Sequence, residues 1–315
     1  MPDHINKEKI ALKEVTRILG QYPLEPYEEG PVLMVSAGIH GNEPSGLLAL
    51  ERVFQVLDNS GIACKGQIIG IAGNVRALRE NVRLIDKDLN RVCTLENEKA
   101  IIDGNSPEFH EAKEFEALMA VKDQKLKNQF FTELLFMDLH TTSSETTPFI
   151  SVNKRENNYD LALQFPLPVV KGIEKYIPGH FDHYLTLKGH RGFTVEAGAH
   201  LSVKSIDYHE AMIWLMLKVS GMIQEADIPN YHYYLNLLEE TFGGESGYEV
   251  VYRHAIEEKD EFQMKPGFKN FSAIAKGDIL ATAKGLEVIS EIDGRIYMPL
   301  YQAQGSDGFF IVKEC

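Results

Sequence analysis

The chain has 315 residues, long enough to bury a full core and to form two domains or one large one. Its formal charge of −14 argues against general nucleic-acid binding, which relies on Lys and Arg to neutralise phosphates, and any anionic ligand would need a local cluster of cations. The three cysteines (Cys64, Cys93, Cys315) are odd in number and lack metal-ligand spacing, which fits a reducing compartment with free thiols.

The N-terminal segment MPDHINKEKIALKEVTRILG is charged throughout and lacks the apolar core of a signal peptide, so a cytoplasmic protein is expected. PVLMVSA, short, apolar and bounded by glycines, reads as a buried strand. PSGLLALERVFQVLDN follows with Pro near a helix start and apolar residues at helical spacing. QIIGIAGN, ELLFMDLH, PFISV and GFTVEAG read as further strands; EFHEAKEFEALMAVKDQ and VKSIDYHEAMIWLMLKVSGMIQEA read as amphipathic helices. Apolar strands separated by helices predict an α/β fold with a mostly parallel sheet covered on both faces. Apolar runs such as LLFM and AMIWLML fall short of a membrane span, so no membrane partner is expected.

After residue 228 the pattern changes. IPNYHYYLNL, GYEVVYRHAI, GDILATA, LEVISEI and GRIYMPLY read as short strands divided by Gly, Asp and Lys. The expected organisation is an α/β domain over residues 1–228 and a smaller β-rich domain over 229–315. KGDILATA and SEIDGRIYMP look similar to biotinyl- or lipoyl-carrier barrels, but EIDGRI displays no lysine for a carrier group, and a structural barrel at the site entrance is the preferred reading.

Polar residues gather at the predicted strand ends: His40 with Glu43, then Asn74, then Asp138 with His140, then Glu196. In open α/β sheets ligands bind beyond the carboxyl ends of strands. His40, Glu43 and His140 supply two imidazoles and one carboxylate, a set suited to a catalytic zinc with a fourth position left for water. For H-x-x-E alone the alternative is a helix N-terminal turn with a solvated Glu near the positive end of the dipole, and these two residues do not decide between them. NVRALRENVRLIDKDLNR, residues 74 to 91, is cation-rich within an acidic chain. Arg76 and Arg79 read as a solvated face. Asp88, Asn90 and Arg91 alternate so that they could aim at one side, and a guanidinium can grip a carboxylate through two parallel hydrogen bonds. Asp88 could accept the second N–H of a ligand histidine.

HGNEPSG, DLNR, MDLHTT and VEAG occur in the order and approximate spacing of the succinylglutamate desuccinylase/aspartoacylase family, which is related to zinc carboxypeptidases. The chain resembles that family from about residue 30 to its C-terminus. The resemblance implies that His40, Glu43 and His140 bind one Zn2+, that Glu196 is the catalytic base, and that Arg83, Asn90 and Arg91 hold the substrate. It implies a carboxypeptidase-like α/β domain followed by a smaller β domain. The implied activity is hydrolysis of a small anionic N-acyl amino acid, of the N-acetyl- or N-succinyl-aspartate or -glutamate kind. Peptide carboxypeptidase activity and a non-catalytic binding protein are the alternatives, and the intact Glu196 argues against the second. A homodimer stays open.

The chain departs from the family in two places. Relatives near the animal aspartoacylase have a further arginine some ten residues before the catalytic glutamate; here Thr186 holds that place, with Lys188, His190 and Arg191 nearby. A tyrosine of the family's C-terminal domain lacks a clear counterpart, and Tyr301 and Gln302 are the candidates to reach the site. His180, His183, His190 and His200 read mostly as loop or surface histidines, and Cys93 as a packing residue.

Overall fold

The computed structural model describes residues 14–315 except 145 and 242–246. The signal-peptide reading of the N-terminus falls mostly on residues 1–13, outside the described residues. In chain order the elements are β1 (Ile18–Tyr22), β2 (Gly30–Ala37), α1 (Ser45–Ser60), β3 (Gln67–Ala72), α2 (Val75–Glu80), α3 (Leu95–Ile102) and α4 (His110–Leu126). Then come β4 (Phe131–Thr142), β5 (Phe149–Val152), α5 (Glu156–Ala162), β6 (Val169–Lys171), α6 (Phe181–Leu187), β7 (Arg191–Ala199), α7 (Val203–Val219) and α8 (Tyr231–Glu239). The C-terminal part holds β8 (Gly247–Ala255), β9 (Gln263–Met264), β10 (Ala273–Ile274), β11 (Ile279–Ala283), β12 (Leu286–Ile289), β13 (Gly294–Tyr297) and β14 (Asp307–Glu314).

The central sheet has the order β1-β3-β2-β4-β7-β5-β6-β8-β14-β13-β10. From β3 to β7 its neighbours run parallel, as the apolar strand runs predict. Strand β5 enters antiparallel to β7, and β6 and β8 then run parallel to β5 and β6 in turn. The C-terminal strands β14, β13 and β10 continue the same sheet antiparallel, while β9, β11 and β12 form a separate three-stranded sheet. The C-terminal β region is thus hydrogen-bonded into the central sheet through β6 and β8.

Side-chain alternation explains both faces and locates the site. Leu33, Val35 and Ala37 of β2, Leu135, Met137 and Leu139 of β4, and Phe193 and Val195 of β7 point to one core, shared with α1, α7 and α8. On the opposite face, Val32 and Met34 of β2 and Leu134 and Phe136 of β4 pack with Phe115 and Leu118 of α4 and with Phe181 and Tyr184 of α6. Toward the carboxyl ends this second face turns polar at the next positions in phase: Ser36, then Asp138 and His140, then Thr194 and Glu196. Buried apolar rungs anchor the strands, and their last turns offer chemistry.

Two elements differ from the sequence expectation. IPNYHYYLNL reads as a strand but forms α8, because its tyrosines and leucines also satisfy a helical period: Tyr234 and Leu238 are buried, and the Tyr234 ring stacks on Trp214 of α7. The long helix expected over 203–226 stops at Val219, where Ser220 is followed by Gly221 in the left-handed region.

Candidate active site

The turn after β2 is built to bring the chain back on itself. Gly38 has φ +68°, and a Cβ on Gly41 would lie 2.1 Å from the Ala77 carbonyl carbon, so only glycine fits this approach of two backbone segments. Gly41 N donates to Arg83 O (3.1 Å) and Glu43 N to His40 O (3.2 Å), which fixes His40 and Glu43 against the 83–91 segment before α1 begins.

Parallel pairing of β4 and β7 sets His140 opposite Glu196, with Asp138 opposite both Ser36 and Thr194. His40, Glu43 and His140 converge from the two ends, and their ligand atoms all lie within 4.8 Å of one another. Both imidazoles turn Nδ1 toward Glu43, at 2.9 Å for His40 and 3.3 Å for His140. Their Nε2 atoms point away to Asp88 (3.1 Å) and Asp138 (3.0 Å). Each outer Nε2 thus faces a carboxylate to which it can donate when Nδ1 lends its lone pair to a shared centre, although at His40 the Nε2 also lies 3.0 Å from Arg83 Nη2. Thr141 N and Ser36 Oγ complete the support by donating to Glu43 Oε2 (2.9 Å) and Asp138 Oδ1 (2.6 Å). Two imidazoles and one carboxylate, buried and braced in this way, fit a divalent transition ion such as zinc.

The electrostatics follow from burial and neighbours. Burial alone would raise the Glu43 carboxyl, but His40 and His140 outweigh it and hold it well below the usual carboxylate range. Asp88 behaves likewise, with His40 and Arg83 offsetting burial. Glu196 goes the other way: burial pushes its carboxyl well above the usual range and the Glu43 charge adds to the effect. Its Oε2 is buried with no hydrogen-bond partner, as is the Tyr297 hydroxyl on the same cavity. An unpaired buried carboxylate oxygen is costly in a core and is a functional-site signal in a cleft.

The 83–91 segment is held by a buried acid that sequence reasoning did not single out. Glu111 of α4 accepts from Ile85 N (2.8 Å), Lys87 N (2.9 Å), Asp86 N (3.2 Å) and Asn74 Nδ2 (3.0 Å). Asn74 caps α2 through Ala77 N, so this predicted polar strand end serves structure and does not line the cavity. With its backbone tied down, the segment turns Arg83, Asp88, Asn90 and Arg91 into the cavity. Arg83 Nη2 lies 3.0 Å from His40 Nε2, and the guanidinium sits 3.4 Å from both Glu43 Oε1 and Asp88 Oδ2. Asn90 Oδ1 accepts from Phe181 N (3.0 Å), which leaves its Nδ2 as the donor. Arg91 Nη1 donates to Asn90 O (3.0 Å) and His180 Nε2 (3.1 Å), and Nη2 to Asp307 Oδ2 (2.7 Å). Burial and the adjacent Arg91 keep the His180 pKa well below its usual value, consistent with a neutral, accepting Nε2.

All eight site residues expected from sequence, namely His40, Glu43, Arg83, Asp88, Asn90, Arg91, His140 and Glu196, line one cavity of about 120 Å³. His180 and His200, read as loop histidines, also line it. His200 Nδ1 accepts from Thr141 Oγ1 (2.7 Å) and its Nε2 donates to Gln302 Oε1 (3.2 Å). Gln302 does reach the site from the C-terminal region; Tyr301 instead donates to Lys265 O. Lys188 and Arg191 are engaged elsewhere, with Glu98 and Glu133. Asp307 had no sequence signal, because its partner Arg91 is 216 residues away.

A model of the succinylglutamate desuccinylase/aspartoacylase catalytic domain matches residues 29–218. A succinylglutamate desuccinylase of Pseudomonas fluorescens (strain Pf0-1) is 26% identical over 294 residues, covering 88% of this chain and 81% of that protein. One of Pseudomonas putida (strain KT2440) is 32% identical over 123 residues, covering 38% and 33%. Among solved structures, a succinylglutamate desuccinylase/aspartoacylase from Rhodobacter sphaeroides superposes with a TM-score of 0.65 at 16% identity over 91% of this chain and 87% of its own. Murine aminoacylase 3 superposes with a TM-score of 0.59 at 17% identity, over 92% and 95%. These superpositions carry the fold.

Proposed function

The chain belongs to the succinylglutamate desuccinylase/aspartoacylase family, and from that premise we propose that it is a zinc-dependent deacylase cutting the amide bond of a small N-acyl amino acid. The observation that carries this reading is the meeting, in one cavity, of a braced His40–Glu43–His140 set with the unpaired carboxylate oxygen of Glu196. When bound there, a zinc ion supplies Lewis acidity, acidifying a water and polarising a carbonyl.

The chain's own groups do the rest. Glu196 Oε2 has no competing partner, so it accepts the proton of the attacking water and returns it to the departing amine nitrogen. Arg83, beside Glu43, is the candidate donor to the developing oxyanion. Arg91 keeps Nε–H and a second Nη2–H free for the substrate carboxylate, joined by Asn90 Nδ2. Asp88 and Asp138 orient the two histidines. Met298, Leu300, Gln302 and Gly305 narrow the cavity from the C-terminal side, which supports a small substrate over a polypeptide. The three free thiols support a reducing, cytoplasmic setting. Among the described residues no helix is long and apolar enough to cross a membrane.

The test is to load the protein with zinc and compare acid release from N-acetyl and N-succinyl amino acids with release of C-terminal residues from peptides. The proposal expects cleavage of the former. Cleavage confined to peptides would make the chain a carboxypeptidase, and cleavage of neither would make it a binding relative.

A further inference from the structure

The cavity's charged and apolar lining bears on which N-acyl amino acid it takes. Two arginines, Arg83 and Arg91, are the only Lys or Arg among the described residues lining it. Five carboxyl side chains line it too: Glu43, Asp88, Asp182, Glu196 and Asp307.

Both arginines are also partly neutralised where they stand. Arg83 faces Glu43 and Asp88, and Arg91 is paired with Asp307, which Arg253 Nε also binds at 2.6 Å. Arg91 retains donors for one carboxylate, as worked out above. Among the described lining residues, a second carboxylate on the substrate would find only Arg83, which already faces Glu43 and Asp88 and is the donor to the oxyanion. Such unpaired charge is costly to bring out of water.

The lining also carries a set of apolar side chains: Ile173, Ile177, Met298, Pro299, Leu300 and Phe310. Ile173, Ile177 and Phe310 are each under 5% exposed and belong to one buried cluster with Val170 and Tyr297, so these side chains are packed in place. Burying an apolar group against such side chains is worth roughly 25 cal/mol per Å² removed from water.

We infer that this site selects a monocarboxylate: an N-acyl amino acid with a short neutral acyl group and an apolar side chain, rather than an N-acyl-aspartate or N-succinylglutamate. The inference takes its ligand class from the deacylase reading and narrows it. Arg91 and Asn90 hold the single carboxylate, and the apolar lining from Ile173 to Phe310 receives the neutral remainder.

Binding separates this inference from turnover. Zinc-loaded Glu196→Gln protein is titrated calorimetrically with N-acetyl-L-leucine, N-acetyl-L-phenylalanine, N-acetyl-L-aspartate and N-succinyl-L-glutamate. The first two should bind at least about tenfold more tightly; equal or tighter binding of the dicarboxylic compounds, or binding of none, overturns the inference. In a second variant, Leu300→Lys, a cation in the apolar lining should shift the binding ratio toward the dicarboxylic compounds at least about fivefold, and an unmoved ratio also overturns it. Wild-type protein that shows the binding preference but hydrolyses none of the four would refute the deacylase reading and leave the selectivity standing.

Discussion

Replacing Glu111 with alanine should damage the site without touching any residue that lines it. Its carboxylate, fully buried, accepts from the backbone N–H groups of three consecutive residues, Ile85, Asp86 and Lys87, and from Asn74 Nδ2. Hydrogen bonds to a charged group contribute about 1.5–3 kcal/mol net, and a buried donor left unmet costs about 1–3 kcal/mol. Four donors lose their acceptor, but the 85–87 segment is only part-buried and regains some water, so we expect a loss of about 3–5 kcal/mol, at the upper end for a single substitution. At about 2 °C per kcal/mol for a chain of this size, the melting temperature of zinc-loaded protein should fall by about 6–10 °C. Zinc affinity should fall as well, because Asp88 rides on the loosened segment and supports His40. Glu111→Gln keeps one acceptor oxygen but turns an NH2 toward backbone donors, so it should fall between wild type and alanine. Differential scanning calorimetry with a competitive zinc titration measures both effects. A Glu111→Ala protein melting within a degree of wild type, with unchanged zinc affinity, would refute the reasoning.

Two further predictions follow from the supports of the histidines. Asp138→Asn removes the charge facing His140 Nε2 and should weaken zinc binding about 10–100-fold with little change in fold, as read by competition against a chromogenic chelator. His209 of α7 is fully buried, donating Nε2–H to His140 O (3.0 Å) and accepting at Nδ1 from Ser45 Oγ (3.1 Å), and burial lowers its pKa to about 4. The unfolded chain takes up this proton near pH 6.5 and the folded one only near pH 4, so stability falls as pH drops through that window. Between pH 7.5 and pH 5 His209 should therefore cost wild type about 2 kcal/mol that a His209→Gln variant does not lose. Urea unfolding at the two pH values checks this, and equal pH dependence in the two proteins would contradict it.

Much of the fold was legible because the sheet's strands carry apolar residues at both parities, so β2, β3, β4 and β7 stand out as continuous runs. Strands β1 and β14 did not. ILGQY is half-buried at the sheet edge, and the FFIV of β14 follows a polar Gly-rich stretch that reads as its loop. Tyrosine-rich α8 satisfied two periods at once, and only packing on Trp214 decides between them. The cavity-lining candidates were legible where polar side chains stand at the ends of apolar strands, as at His140 and Glu196. Their supports were not, because Glu111, His209 and Asp307 are joined to the site by tertiary contacts alone. Asp138 is the exception: two positions before His140 on one strand, it shares that residue's face by the period of the strand. The C-terminal wall was legible only as strand-like composition, since its position over the cavity depends on β8 pairing with β6.

The account rests on Glu196 moving a proton beside a metal held by other residues. Measuring zinc content and turnover together on Glu196→Gln protein tests that directly. One zinc per chain, as in wild type, with turnover of the best N-acyl amino acid substrate reduced by at least about a hundredfold, is the expected result. Turnover within a few-fold of wild type at the same zinc content would contradict it.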